Sequence, residues 1–320
     1  MPTPPFLPRH SDFHHGHGAQ SDGLYGDTAQ RNYGNKLALF NQFAAPELRQ
    51  VIAWLGLQPR QVVLDAGCGA GHITQWLHEA VTPGGYAIGL ELAAAHCTMA
   101  RAITTHVVQA NVSQLPFVPE TFDWIWTSNT LNHLAQPSAE LRQLAAWLKP
   151  EGRLAIGQSS FLPEMIFAWD ARLEREATYA CRRYYCNKYG LGERDLSAPR
   201  HWVGVLRAVG FTDVTAKTVV IERVAPLSLF DEFYFAEWFK NYWGHRVQAH
   251  VQHQDWQEIA WLTDPNSPYF APRRPDFHYI ETFTVVVGGK PRADASAVRE
   301  AAMDTDKGPR PWVSVERSSQ

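Results

Sequence analysis

The polarity of the chain changes period several times. Leu37, Leu39, Phe40 and Phe43, then Leu48, Val51, Ile52 and Leu55, recur at intervals of three and four. That spacing predicts a short helical cover before the first strand, closed by Gly56 and Pro59. The apolar run Val62-Val63-Leu64 follows, ends in Asp65, and opens into a glycine-rich turn. Apolar runs recur at Tyr86 to Leu90, Val107 to Ala110, Phe122 to Trp126 and Arg153 to Gly157. Amphipathic stretches separate them, at His72 to Ala80, Ala93 to Ile103 and Leu141 to Leu148. Strands alternating with helices over short connections predict an α/β fold, with a doubly wound, mostly parallel, Rossmann-like sheet covered on both faces.

The alternation breaks after Gly157. Residues 158–198 mix charges with Trp169, Tyr184, Tyr185 and Tyr189 and read as helical. A helix at His201 to Val209 is ended by Gly210, and Val214 to Val224 and Ile280 to Val287 read as strands, bringing the sheet to seven. Between them, Phe230 to Trp243 holds Phe233, Tyr234, Phe235, Trp238, Phe239 and Tyr242. The expected organisation is one domain over 23–288, with insertions at about 158–198 and 225–277 forming a helical substrate cap. Residues 1–22, rich in proline and histidine, and 289–320, polar and charged, read as mobile tails.

Composition narrows the partners. A net charge of -3 over 320 residues disfavours a nucleic-acid or anionic-membrane surface. No apolar run approaches the roughly 20 residues of a membrane span, and no secretion-signal pattern opens the chain, so a cytoplasmic protein is expected. Four cysteines fit a reducing compartment. Cys181 and Cys186 lack a standard zinc spacing and read as half-buried thiols, and no metal is expected. A histidine cluster at His10, His14, His15 and His17 falls in the amino-terminal tail, where metal ligands would be poorly organised.

The turn Asp65-Ala66-Gly67-Cys68-Gly69-Ala70-Gly71 carries the chemistry. A nicotinamide fingerprint would put its third glycine where this chain has His72, and the Gly-Lys-Ser/Thr ending of a phosphate-binding loop is absent. An aspartate aimed into the turn would repel pyrophosphate but suits a ligand with an ammonium and a sulfonium.

Here the chain resembles the class I S-adenosylmethionine-dependent methyltransferases, closely over about Leu37 to Gly157 and more loosely from His201 to Val287. The resemblance implies S-adenosyl-L-methionine as cofactor. It implies that Asp65 with Gly67, Cys68, Gly69 and Gly71 holds the methionine portion, and that Glu91, followed by Leu92, receives the ribose hydroxyls. Asn111 and Val112, before Leu115-Pro116-Phe117, fall where the family meets adenine. The family usually has aspartate at position 111; an asparagine carbonyl can still accept from the adenine amino group. Asn129 resembles the position that closes the methionine side.

The implied reaction is direct displacement at a sulfonium methyl. Alignment and water exclusion can supply up to ~7–11 kcal/mol of the barrier. A general base, contributing roughly 10²–10⁴-fold, is needed only for a protonated nucleophile. His133, four residues past Asn129, is the candidate base, its alternative being a helix-capping role. His201, Glu237 and Tyr234 are weaker candidates. The aromatic cap suits a small, largely apolar or aromatic acceptor, while Asp231, Glu232 and Glu237 leave room for a cationic one. Phe230 to Trp243 can equally form a homodimer interface or pack on the sheet. Two competing readings stand beside this one. One is an NAD-dependent oxidoreductase, opposed by His72 and Asp65; the other is a catalytically silent binding or scaffold protein of the same fold.

Overall fold

A computed structural model of the chain describes residues 33–114, 117–134, 137–159, 165–166, 170–189 and 201–291. The expected amino-terminal tail, Leu115-Pro116, parts of the first insertion, and all but 289–291 of the carboxyl-terminal tail lie outside the described residues.

Two helices precede the sheet, α1 (Tyr33–Phe43) and α2 (Ala45–Leu55). Pro46 sits in the first turn of α2, where its missing N–H costs no hydrogen bond. Gly56 ends α2 in the left-handed region at φ 70°. The core then alternates β1 (Val62–Ala66), α3 (His72–Val81), β2 (Tyr86–Glu91), α4 (Ala94–Arg101), β3 (Val107–Gln109), β4 (Phe122–Ser128), α5 (Pro137–Trp147) and β5 (Leu148–Ser159). After the two-residue β6 (Met165–Ile166) come α6 (Ala171–Tyr189), α7 (Trp202–Val209) and β7 (Thr212–Val224). The second insertion contains α8 (Leu229–Trp238), a π-helical turn at Phe239–Trp243, α9 (Gly244–Gln248) and α10 (His253–Thr263). A 3₁₀ turn at Ala271–Arg273 then leads into β8 (His278–Gly289).

The sheet runs β3-β2-β1-β4-β5-β8-β6, with β7 pairing β8. The first five strands are mutually parallel, while β8 runs antiparallel to β5 and β7. The seven expected strands are all present, and β6 is added on β8. The chain reverses its direction of winding between β1 and β4, the switch point at whose carboxyl edge ligands bind in such sheets.

Strand alternation splits the core in two. Leu64, Ile125, Leu154, Ile156 and Val286 face α5 and α7. Val63, Trp124, Trp126, Ala155, Phe283 and Val285 face α2, α3 and the second insertion. On that side Phe43 stacks on Tyr234, centroids 3.7 Å apart and 5° from parallel, and Phe235 packs on Phe277 and Tyr279. The rings of 230–243 therefore mostly turn inward, while Phe233 and Tyr242 remain exposed. Arg223 of β7 fastens this side: it donates to Glu47 of α2 at 2.8 Å and to the Phe43 carbonyl, and lies over the Phe43 ring.

Candidate functional site

At the carboxyl end of β1 the chain must turn within a few residues beneath α1 and α4. Gly67, Gly69 and Gly71 take φ of 83°, 52° and 85°, which L side chains rarely adopt. The space is as restrictive as the dihedrals. A Cβ on Gly67 would lie 2.2 Å from Thr130 Oγ1, and one on Gly71 would lie 2.9 Å from the Ala100 Cα of α4. Over Gly69 the nearest atom is the Leu37 Cδ1 of α1, 3.0 Å from such a Cβ. The loop is thus pressed between the turn after β4, α4 and α1.

Two carboxylates define its polarity. Glu91, at the end of β2, accepts the Gly69 N–H through Oε2 and the Ala93 N–H through Oε1, each at 2.9 Å. Burial pushes its pKa up, but the His96 ring and these two N–H groups prevail and hold it below the ordinary carboxylate value. Each oxygen keeps a further lone pair, so a vicinal diol can still be received. Asp65 is buried and accepts from Thr74 Oγ1 at 2.6 Å. Burial drives its pKa from 3.8 to about 7, the Thr74 bond opposing this and the Glu91 charge adding to it. A nearby ammonium would reverse that penalty, whereas a second anion would deepen it.

The other expected residues divide into groups that line this edge and groups committed elsewhere. Leu92 is 44% exposed beside Glu91, and Val112 is buried beyond β3. Asn111 Oδ1 accepts the Ser113 N–H at 2.9 Å, shaping the turn after β3. Asn129 sits at φ 51°, and its Oδ1 takes Gln158 Nε2 at 2.8 Å and the Ser159 N–H at 3.1 Å. It therefore locks the ends of β4 and β5 together. Cys68 is a packing thiol: its Sγ is buried against Gly89 of β2, and burial pushes its pKa far up. His133 ends the 3₁₀ turn Leu131–His133 just beyond β4, its imidazole half-buried.

The weaker candidates lie away from this edge or are occupied. His201 is exposed at the start of α7, Tyr234 is stacked on Phe43, and Glu237 bonds Lys240 and Asn241. Thr74, Thr130 and Ser159 were not singled out by sequence. Thr130 and Ser159 take their roles only when separate strands meet, and Thr74 only when α3 folds back on β1.

The family model described as "Methyltransferase domain" matches residues 64–156, the span from β1 through β5 that builds this edge. Residues 64–156 carry a methyltransferase domain. The domain is similar to the 2-phytyl-1,4-naphtoquinone methyltransferase of Thermosynechococcus vestitus, 32% identical over 34% of this chain and 50% of that protein. It is similar also to the malonyl-[acyl-carrier protein] O-methyltransferase of Pseudescherichia vulneris, 29% identical over 38% of this chain and 49% of that one. The chain thus spans about half the length of these curated relatives. Among solved structures, the YcgJ protein of Bacillus subtilis aligns with a TM-score of 0.45 and 16% identity, over 77% of this chain and 98% of that one.

The cofactor of this domain class fits the residues present. The three glycines present bare backbone at the carboxyl end of β1, Glu91 can receive a diol, and the buried Asp65 favours a cationic group over an anionic one. Among the described residues, no helix is long and apolar enough to cross a membrane.

Proposed function

We propose that the chain transfers a methyl group from S-adenosylmethionine to a small, largely apolar or aromatic acceptor by direct displacement. The observation that carries this reading is the clamp of the Gly67–Gly71 loop onto Glu91, under a helix that also reaches the aromatic cap. When bound, S-adenosylmethionine supplies an electrophilic methyl on a sulfonium, and the thioether it leaves is neutral.

The protein's work is then placement and exclusion of water. Glu91 fixes the ribose and, through the Gly69 N–H, the loop itself. Asp65 orients the ammonium end, with Thr74 steering its carboxylate. Leu92, Val112 and Asn111 border the adenine, and Asn129 holds β4 and β5 at the spacing that leaves the reacting end open. Helix α1 closes over this arrangement through Leu37. Phe43, at its other end, is stacked on Tyr234 of the cap, so one helix borders both the donor loop and the acceptor side. For an acceptor that arrives as an alcohol or phenol, His133 takes its proton at the imidazole.

The test is incubation of the purified chain with S-adenosylmethionine and a fractionated metabolite extract, read by mass spectrometry. The proposal predicts formation of S-adenosylhomocysteine together with a product heavier by one methyl group. Consumption of neither donor nor any extract component would refute it.

A further inference from the structure

The cap contains a guanidinium that the described part of the molecule does not neutralise. Arg246 of α9 lies 5.6 Å from the ring centre of Tyr184 and 5.9 Å from that of Tyr185, both on α6. Its Nε is shut off from solvent with no hydrogen-bond acceptor, and no other arginine nitrogen is in that state among the described residues. Two other arginines of the cap are matched, Arg172 with Asp255 and Arg273 with Glu232, while Arg175 and Arg183 of α6 are exposed to solvent. Glu237, on the helix leading into this turn, is engaged by Lys240 and Asn241 instead. Removing water from a charged N–H without supplying an acceptor is costly, and an anion would offset it.

The position connects to the donor edge. Cys181 Sγ of α6 lies 3.3 Å from the Tyr242 carbonyl, and Lys36 Nζ of α1 lies 5.8 Å from the Tyr242 ring centre. The next residue of α1, Leu37, is the one that covers Gly69. Helix α1 therefore covers the glycine loop with Leu37 and approaches Tyr242 of the cap with Lys36, while α6 carries both the Tyr242 contact and the two tyrosines beside Arg246.

We propose that Arg246, resting on Tyr184 and Tyr185, binds a carboxylate carried by the acceptor, so that the acceptor class is aromatic or apolar carboxylic acids. This rests on the methyl-transfer site proposed above. A guanidinium offers parallel N–H donors in the plane a carboxylate needs, and one unmatched positive charge balances one negative charge. The two tyrosine rings, 80° apart, border the guanidinium and provide apolar surface for the rest of the acceptor.

The experiment is isothermal calorimetry on the full chain saturated with S-adenosylhomocysteine, using 3-phenylpropionate, 4-phenylbutyrate and indole-3-acetate, each against its neutral amide. The wild type should prefer at least one acid over its amide by roughly tenfold or more. Arg246→Gln should abolish that preference, Arg246→Lys should keep part of it, and both should bind S-adenosylhomocysteine like the wild type. Equal binding of every acid and amide, no binding of any acid, or a preference that survives Arg246→Gln would overturn the inference. If S-adenosylhomocysteine itself fails to bind the wild type, the methyl-transfer reading falls first and this one with it.

Discussion

Replacing Asp65 with asparagine should stabilise the protein above neutral pH while weakening its hold on the donor. The Asp65 carboxyl is enclosed between β1 and α3 with the Thr74 hydroxyl at 2.6 Å, and burial raises its pKa from 3.8 to about 7. A carboxyl raised in the folded state stays protonated there to higher pH than in the unfolded chain. Its favourable contribution is complete below about pH 4 and is lost as pH rises toward 7. At roughly 1.4 kcal/mol per tenfold change in ionisation, the loss is ~4 kcal/mol in order of magnitude. Asparagine stays neutral throughout and still accepts from Thr74. Urea unfolding of both proteins from pH 4 to pH 8 should give midpoints that nearly coincide at the acid end and diverge in favour of Asp65→Asn toward pH 8. A difference that is flat with pH, or a variant weaker at pH 8, would refute the reasoning. Because an ammonium beside Asp65 restores its charge, donor binding near pH 6 should release a proton. Calorimetry in buffers of different ionisation enthalpy detects that release.

Three further outcomes follow from the same geometry. Gly71→Ala combines left-handed strain with a Cβ 2.9 Å from the α4 backbone at Ala100, and should cost ~2–5 kcal/mol in thermal or urea unfolding. Gly56→Ala, at φ 70° with nothing within 4 Å, is the control and should cost only ~1–2 kcal/mol. Glu91→Gln leaves one of the Gly69 and Ala93 N–H groups facing an amide NH₂, and should lower stability by ~1–3 kcal/mol and donor affinity at least tenfold. Glu91 is held below its ordinary value, so its stabilisation is present above about pH 4.5 and lost as pH falls through its folded pKa; the variant should lack that acid limb. His133→Ala should lower turnover roughly 10²-fold or more with a phenolic acceptor and remove the acid limb of its pH profile. Unchanged turnover across the pH series would exclude it as the base.

The parts legible in the sequence were those whose physics is local. Val62–Ala66 and Tyr86–Glu91 are apolar because both faces of a parallel strand are covered, and the glycine offsets from Asp65 follow from a turn with no room for side chains. Boundaries blurred where local signals conflict. The stretches Leu141 to Leu148 and Arg153 to Gly157 leave a gap, yet α5 ends at Trp147 and β5 begins at Leu148, its first pairing with β4 crossing an irregular register. The aromatic run at 230–243 gave no sign of dividing between a helix and a π-helical turn. Contacts across long separations were invisible. Nothing about Asn129 announces that Gln158 and Ser159 take its carbonyl, or that Thr130 fills the space over Gly67. Arg246 is one arginine among many until Tyr184 and Tyr185 are brought against it.

The central claim is that the loop from Gly67 to Gly71, closed onto Glu91, is built for S-adenosylmethionine. Calorimetric titration of the purified chain with S-adenosylmethionine and, separately, with NAD tests it most directly. The account predicts saturable, single-site binding of S-adenosylmethionine that Glu91→Gln weakens at least tenfold, and no saturable heat with NAD. Binding of NAD in its place, or S-adenosylmethionine binding indifferent to Glu91→Gln, would contradict it.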